Sequence, residues 1–250
     1  MNSNKLLKII VGLIIFIFLI VILYVFYNKI KFRNTNNYTI IDGTSNASKG
    51  LIINGDKIKR SSDGEFGMEF TYAWWMYIDS LNNSPKYGHI FTKGSSNINP
   101  DGPVPDLGVS QAPGVWLEPN TNNLLILMNT IDNKNNLLFE TCTINDIPMK
   151  NWVHITISLI NNKLDVYVNG EFKKRCVFNG IPKLNYGDLL VTQQNPFLGN
   201  LSNFKYFNSA IKPYQINHLV SEGPSQQIVK TPDFDDKDYL SQNWYFRTFN

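Results

Sequence analysis

A strict alternation of apolar and polar side chains between residues 152 and 170 constrains the fold of this chain more than any other feature. Apolar residues fill every second position of residues 153–159 and again of residues 164–168, and the pair Asn161-Asn162 separates the two runs. A period of two is that of a β-strand with one face toward a core, and asparagine tolerates the left-handed backbone of a tight turn. The segment is therefore predicted to be a β-hairpin with one buried and one wetter face.

Further short apolar segments have strand length and are rich in β-branched or aromatic residues. They are Leu51–Asn54, Phe70–Ile78, His89–Thr92, Gly114–Leu117, Leu124–Asn129, Leu137–Ile144, Phe172–Phe178, Leu189–Thr192 and Leu201–Phe207. The stretch Lys212–Glu222 instead has an apolar face at helical spacing and stops at Gly223-Pro224, which predicts a short helix. Many short strands and few helices indicate an all-β sandwich or barrel.

Residues 9–27 contain no charged side chain and consist mostly of Ile, Leu, Val and Phe. As a helix they would span roughly 28 Å, close to the hydrocarbon thickness of a bilayer. A cleaved signal peptide has a shorter apolar region that ends in small residues, whereas this one ends in aromatic residues followed by Lys29, Lys31 and Arg33. We expect one uncleaved transmembrane helix that contacts membrane lipid.

The chain is predicted to have four parts, of which the helix at residues 9–27 is the second. Residues 1–8 form a short N-terminal tail, residues 28–38 a polar stalk, and residues 39–250 one folded domain. Lys5 and Lys8 on one side of the helix balance the basic residues on the other side, so the positive-inside rule leaves the orientation open.

The formal charge of +3 comes from basic residues beside the apolar segment. Without the five basic residues that flank this segment (Lys5, Lys8, Lys29, Lys31 and Arg33), the chain has 18 basic and 20 acidic residues. The notable basic run in the folded part is Lys173-Lys174-Arg175. A polyanion-binding domain needs a basic face, and a short run on a strand is typical of a solvated sheet edge. The charge therefore predicts no nucleic-acid partner.

Three segments carry a resemblance to a known family. Trp152-Val-His154-Ile followed by Leu164-Asp-Val-Tyr-Val-Asn-Gly170 resembles the signature hairpin of laminin-G-like, concanavalin A-like jelly-roll domains. Residues 70–77 are similar to the early core strand of that family, and residues 199–211 to its late strand and the start of its short helix. The resemblance extends over about residues 39–250 and implies a jelly-roll β-sandwich that includes a C-terminal strand.

A second resemblance concerns the kind of genome that encodes the chain. The N-terminal anchor, the abundant asparagine, the pair Cys142 and Cys176 and the aromatic tail of residues 239–246 together resemble membrane-anchored versions encoded by large DNA viruses. We therefore expect a viral protein.

Glucanases belong to the same superfamily, so hydrolysis has to be considered. Those enzymes carry Glu-x-Asp-x-x-Glu on one strand, and this sequence has no such triplet; its nearest approach is Glu65 with Glu69. The histidines His89, His154 and His218 have no ligand-like spacing, which argues against zinc. We expect no enzymatic activity, no catalytic residue and no cofactor.

Calcium is the one ion that the family resemblance raises, because laminin-G-like domains often hold it at one rim of the sandwich. Asp101 and Asp106 in the loop Gly94–Gly114 are the candidate ligands. Calcium takes six to eight oxygen ligands, and two carboxylates do not supply them, so no metal site is predicted.

A sugar platform is the other candidate site. Tyr87, Trp116 and Asn120 lie near this loop in sequence, and aromatic rings stack on sugar faces while amides bind hydroxyl groups. Trp116 stands between Val115 and Leu117 in an apolar strand, which favours a core position over a sugar-stacking one.

Cys142 and Cys176 are the two cysteines of the chain. Cys142 shares its strand parity with Leu138 and Ile144, and Cys176 shares its own with Phe172 and Phe178, so both are predicted to face inward. The intervening hairpin returns the second strand toward the first, which predicts a disulfide; two buried free thiols are the alternative. A disulfide would place the domain on the non-cytosolic side of a membrane or in a virion.

Three functions remain open at this stage. The leading hypothesis is a membrane-anchored, non-catalytic recognition domain that binds glycan or protein ligands through loops at one rim. The alternative is a structural virion or envelope protein of the minor capsid type that packs against other proteins and has no sugar ligand. A glucanase-like hydrolase comes third.

Overall fold

The computed structural model describes residues 3–33, 37–64, 67–81, 85–94 and 110–229. The candidate calcium ligands Asp101 and Asp106 and the expected C-terminal strand around Trp244 lie outside the described residues, as does Glu65.

Helix α1 (Ser3–Arg33) precedes the strands, and its side chains are described at residues 10–25 and at Tyr27, all of them exposed. No helix within the described residues is both long enough and apolar enough to cross a membrane. The transmembrane segment at residues 9–27 stays a prediction.

The regular structure in the rest of the described chain is mainly β-strand. Its elements are β1 (Asn37–Asn46), β2 (Leu51–Ile53), β3 (Ser62–Gly64), β4 (Gly67–Ser80), β5 (Gly88–Gly94), β6 (Gln111–Leu117), β7 (Leu124–Ile131), β8 (Leu137–Ile144), β9 (Trp152–Ile160), β10 (Lys163–Val168), β11 (Glu171–Val177), β12 (Ile181–Pro182), β13 (Asp188–Val191), β14 (Leu198–Phe207) and helix α2 (Pro213–Glu222). The prediction of an all-β fold with a short late helix is confirmed.

The strands form two antiparallel sheets that pack face to face. Sheet A has the order β1-β14-β4-β9-β10-β11, with β3 beside the start of β4. Sheet B has the order β12-β7-β6-β5-β13-β2, with β8 beside β7. Between them lies an aromatic core in which Tyr72, Trp74, Phe91 and Phe204 contact one another.

The hairpin predicted from the alternation is the pair β9 and β10, joined at Asn161, whose φ of 55° is left-handed. Its apolar positions face the core, as expected. The polar positions of β9, including His154 and Thr156, are also buried, which corrects the expected wetter face. The reason is that α2 lies on this side of sheet A, where Ile216 and Leu219 pack beside Ala73.

A disulfide joins Cys142 of β8 to Cys176 of β11, with the two Cα atoms 5.9 Å apart. The predicted pairing is confirmed, and the bond connects an outer strand of one sheet to an outer strand of the other. Phe172, predicted to face inward by the same parity, is 55% exposed. A register shift between β10 and β11, near Val166, moves the earlier residues of β11 to the opposite face.

Candidate functional site

The structure does not bring the predicted sugar platform together. Trp116 is fully buried on the side of sheet B away from the main core, where its ring lies 4.4 Å from the ring of His89. Its indole N–H donates to Gln111 Oε1 at 3.2 Å. Trp116 is therefore a packing residue, and a sugar has no access to its ring.

The other two platform residues have separate roles. Tyr87 is half-buried against the cluster that contains Trp116. Asn120 is exposed in the turn after β6, with a left-handed φ of 56°. It lines a cleft of about 10 Å³ beside Lys86, and a space of that size holds no more than about one water molecule.

The two described buried histidines are held as neutral rings. Nδ1 of His89 accepts the backbone N–H of Gln193 at 3.1 Å, so the proton lies on Nε2, which contacts Thr92 Oγ1 at 3.0 Å. Burial lowers the pKa of His89 to about 3. Burial, with a smaller effect of Lys205, lowers the pKa of His154 to about 4. Both rings act as structural hydrogen-bond partners within the fold.

The described residues hold no group of three or more His, Cys, Asp or Glu side chains that could bind a metal ion. Glu69, the described member of the carboxylate pair considered for hydrolysis, accepts the backbone N–H of Ala210 at 3.3 Å.

A pocket of about 250 Å³ opens between the two sheets at one end of the sandwich. Strands β4 and β6 begin at this end, and β5 and β14 finish there. Its floor consists of Phe70 and Tyr72 from β4, Tyr206 from β14 and Ala112 from β6. We call this the pocket end, and we call the opposite end, formed by residues 118–123, 145–151 and 192–197, the closed end.

The mouth of the pocket is basic. Lys59, Arg60, Lys93 and Lys183 line it together with one carboxylate, that of Asp56. Because like charges gathered at a low-dielectric wall reinforce one another, these four cations favour an anion at the mouth, while Asp56 and the nearby Asp188 oppose them.

Two of these cations have defined positions. The guanidinium of Arg60 lies 4.1 Å from the centre of the Tyr186 ring. Such a cation–π contact holds the guanidinium over the ring. The Lys93 ammonium is buried and donates to the Gly187 carbonyl. Burial lowers the pKa of Lys93, and the nearby carboxylates of Asp188 and Asp56 oppose that change.

The two tyrosines of the floor stay protonated. Burial raises the pKa of Tyr72 well above its ordinary value, and the neighbouring Tyr206 adds to the effect. Burial likewise raises the pKa of Tyr206. Ser61 also lines the pocket, and its hydroxyl is buried without a hydrogen-bond partner among the described residues. The pocket therefore combines cations at its mouth with uncharged side chains inside.

Sequence reasoning missed this pocket. One signal was present, because Lys57-Ile-Lys59-Arg60 is a second basic cluster, directly before the early core strand. Lys93 and Lys183 join it only through the pairing of β13 with β5 and the loop before β13.

Comparison with known proteins places this fold. Residues 54–217, more than half of the chain, match the family model described as the concanavalin A-like lectin/glucanases superfamily. The chain belongs to this superfamily. The superfamily name covers sugar-binding proteins and hydrolases alike, so membership establishes the jelly-roll sandwich and leaves the activity to the site.

Solved structures with a similar fold include botulinum neurotoxin binding domains. The serotype G binding domain has a TM-score of 0.51 and 14% identity, over 75% of this chain and 45% of that chain. The receptor-binding domain of the C/D mosaic serotype has a TM-score of 0.51 and 14% identity, over 76% and 47%. For the receptor-binding domain of neurotoxin D the values are 0.50 and 14%, over 76% and 46%.

At this level of identity the likeness shows the fold alone. The chain spans less than half the length of those neurotoxin structures. No curated protein sequence matches it. The resemblance to viral proteins stays a prediction.

Proposed function

We propose that the chain is a membrane-anchored, non-catalytic recognition domain whose ligand enters the pocket between the sheets. The observation that carries this proposal is the pocket itself, in which an apolar floor lies behind several convergent polar groups. That combination is typical of binding sites.

The chemistry of the pocket favours binding over hydrolysis. Glycoside hydrolysis ordinarily uses two carboxyl groups about 5–10 Å apart. Among the described residues that line the pocket, Asp56 provides the one carboxylate. The neurotoxin structures of similar fold are themselves binding domains, which supports the same reading.

The membrane anchor is proposed from the apolar segment of residues 9–27. Its described side chains, from Ile10 to Val25, are exposed, and a long exposed apolar surface needs lipid or protein to cover it. The disulfide supports a placement of the sandwich outside the reducing cytosol or in a virion.

Alkaline carbonate extraction tests the anchor. We expect the full-length protein to remain with the membrane pellet, and a variant in which residues 9–27 are replaced by a Gly/Ser linker to appear in the supernatant. Release of the intact wild-type protein would refute the anchor.

Filling the pocket tests the binding site. The full-length protein in detergent is applied to arrays of glycans, lipids and surface proteins, and the substitution Ser61→Trp should abolish whatever binding is found. Asn120→Trp at the closed end is the control and should leave binding intact. Loss of binding in the control but not in Ser61→Trp would move the site to the closed end, and laminarin hydrolysis by the wild-type protein would overturn the non-catalytic assignment.

A further inference from the structure

The pocket lies at the end of the sandwich where the chain arrives from α1. Strand β1 begins at this end, with Asn37 opposite Phe207 and Tyr38 opposite Tyr206 of β14. Tyr206 is part of the pocket floor. The first residues of β1 are therefore one strand away from the pocket.

The connection between α1 and β1 is short. The helix ends at Arg33 and β1 begins at Asn37, so residues 34–36 join them. An extended chain advances at most about 3.6 Å per residue, which limits the gap to about 14 Å. Residues 28–33 of α1 add about 9 Å beyond the predicted span. Where α1 spans a bilayer, the pocket end therefore lies within about 23 Å of the hydrocarbon core of that same membrane.

The pocket chemistry fits a phosphate group. Phosphate is bound by planar guanidinium groups and by ammonium groups, and it accepts further hydrogen bonds from neutral hydroxyls. Arg60, held on the Tyr186 ring, and Lys183 at the mouth supply the charge. Ser61 lines the same pocket, and its buried hydroxyl has no hydrogen-bond partner among the described residues.

The size of the pocket limits which part of a phospholipid could enter it. A space of about 250 Å³ suits a phosphate with a small substituent. It is too small to hold acyl chains in addition to the phosphate. The chains would remain in the bilayer, which the short connection places nearby.

We propose that the pocket binds the anionic headgroup of a phospholipid in the membrane that carries α1. This inference rests on the proposed membrane anchor, and it narrows the ligand to a class that the sequence did not indicate. Binding of this kind would hold the pocket end against the bilayer and turn the closed end outward.

The test uses the full-length protein in nanodiscs of phosphatidylcholine alone or of phosphatidylcholine mixed with phosphatidic acid. Backbone hydrogen exchange of residues 58–61 and 183–187 reports on the mouth of the pocket. We expect slower exchange in the discs that contain phosphatidic acid. Arg60→Gln or Lys183→Gln should raise the phosphatidic acid content needed for half-protection about five-fold each, and the double variant about 25-fold.

Lys173→Gln is the matched control, because it removes the same charge from an exposed position on β11 that does not line the pocket. It should leave the protection unchanged. Equal exchange in the two kinds of disc, or an equal loss of protection in the control, would overturn the proposal.

Two further arms identify the source of the anion. Glycerol phosphate or sialyllactose is added to the protein in phosphatidylcholine discs. Protection of the same residues by either one, without protection by phosphatidic acid, would overturn the lipid assignment in favour of a soluble phosphate or an acidic sugar. Failure of the protein to enter phosphatidylcholine discs would instead refute the anchor, and with it the headgroup proposal.

Discussion

The loops at the two ends of the sandwich fill the gap between the sheets to different extents. At the closed end, side chains tie neighbouring loops together: Asn122 Nδ2 donates to the Ile147 carbonyl at 2.9 Å, and Asn195 Nδ2 donates to the Tyr87 carbonyl at 2.8 Å. The cleft left there measures about 10 Å³. Loops that satisfy one another across the gap between the sheets leave no room for a ligand.

At the pocket end, the corresponding hydrogen bonds run along the wall. Asn185 donates to the Lys93 carbonyl and to Ser110 Oγ, both at 3.0 Å, and accepts the Gly187 N–H at 2.8 Å. These contacts organise one side of the opening and do not cross it. Among the described residues, loop hydrogen bonds join neighbouring loops at the closed end and follow one wall at the pocket end, and the larger space lies at the pocket end.

Removing the disulfide should have the largest effect and should not distinguish the two ends. The bond closes a loop with a sequence separation of 34 residues, for which the chain-entropy estimate is about 4 kcal/mol of unfolding free energy. The variant Cys142→Ala/Cys176→Ala should lose about that much in urea unfolding, and reduced wild-type protein should behave alike. Faster hydrogen exchange at one end alone would show that the ends are stabilised independently.

Acid should open the closed end selectively. The pKa of His89 is about 3 in the folded protein and about 6.5 when the chain is unfolded. Below pH 6.5 the unfolded chain therefore binds a proton that the folded protein does not, so stability falls as the pH falls. Between pH 7 and pH 5 the protein should lose about 2 kcal/mol of unfolding free energy through His89.

The measurement is urea unfolding at several pH values, together with hydrogen exchange of residues 192–195. His89→Gln should reduce the pH dependence, while His154, whose pKa of about 4 has the same sign, continues to contribute. Protonation of His89 Nδ1 also ends its acceptance of the Gln193 N–H. An unchanged pH dependence in His89→Gln would contradict the role given to this ring.

Removing a single loop hydrogen bond should have the smallest effect on stability. Asn122→Ala removes one bond across the closed end and should lower the unfolding free energy by about 1 kcal/mol. Asn120→Gly, in the same turn, keeps the left-handed backbone that Asn120 has and should change stability by a few tenths of a kcal/mol. If Asn122→Ala proves as neutral as that control in thermal unfolding, the bond to Ile147 does not hold the closed end together.

Local periodicity explains what the sequence could predict. The β9 and β10 hairpin and α2 each follow from a pattern within about 20 residues, and the disulfide follows from strand parity and a single hairpin. The pocket depends on residues as far apart as Arg60 and Lys183, which meet only after the two sheets have formed.

Burial of both faces of a strand is the other feature that local patterns do not reveal. Trp116 alternates correctly with Val115 and Leu117, which face the main core. Its apolar neighbours favoured a core position for Trp116, which its burial confirms, but alternation places its ring on the other side of sheet B, away from the main core. Its burial depends on parts of the chain distant in sequence, beyond the reach of a two-residue period.

The pairing of β1 with β14 has a mechanical consequence. Tension between the anchor and a partner held at the closed end would enter the sandwich at Asn37 and pull along the axis of β1. Its hydrogen bonds to β14 run from Asn37 to Asn46 and lie across the direction of pull, so they share the load and would have to break together. A tether attached in this way resists force by shear, whereas a pull across the strands would open the same bonds one at a time.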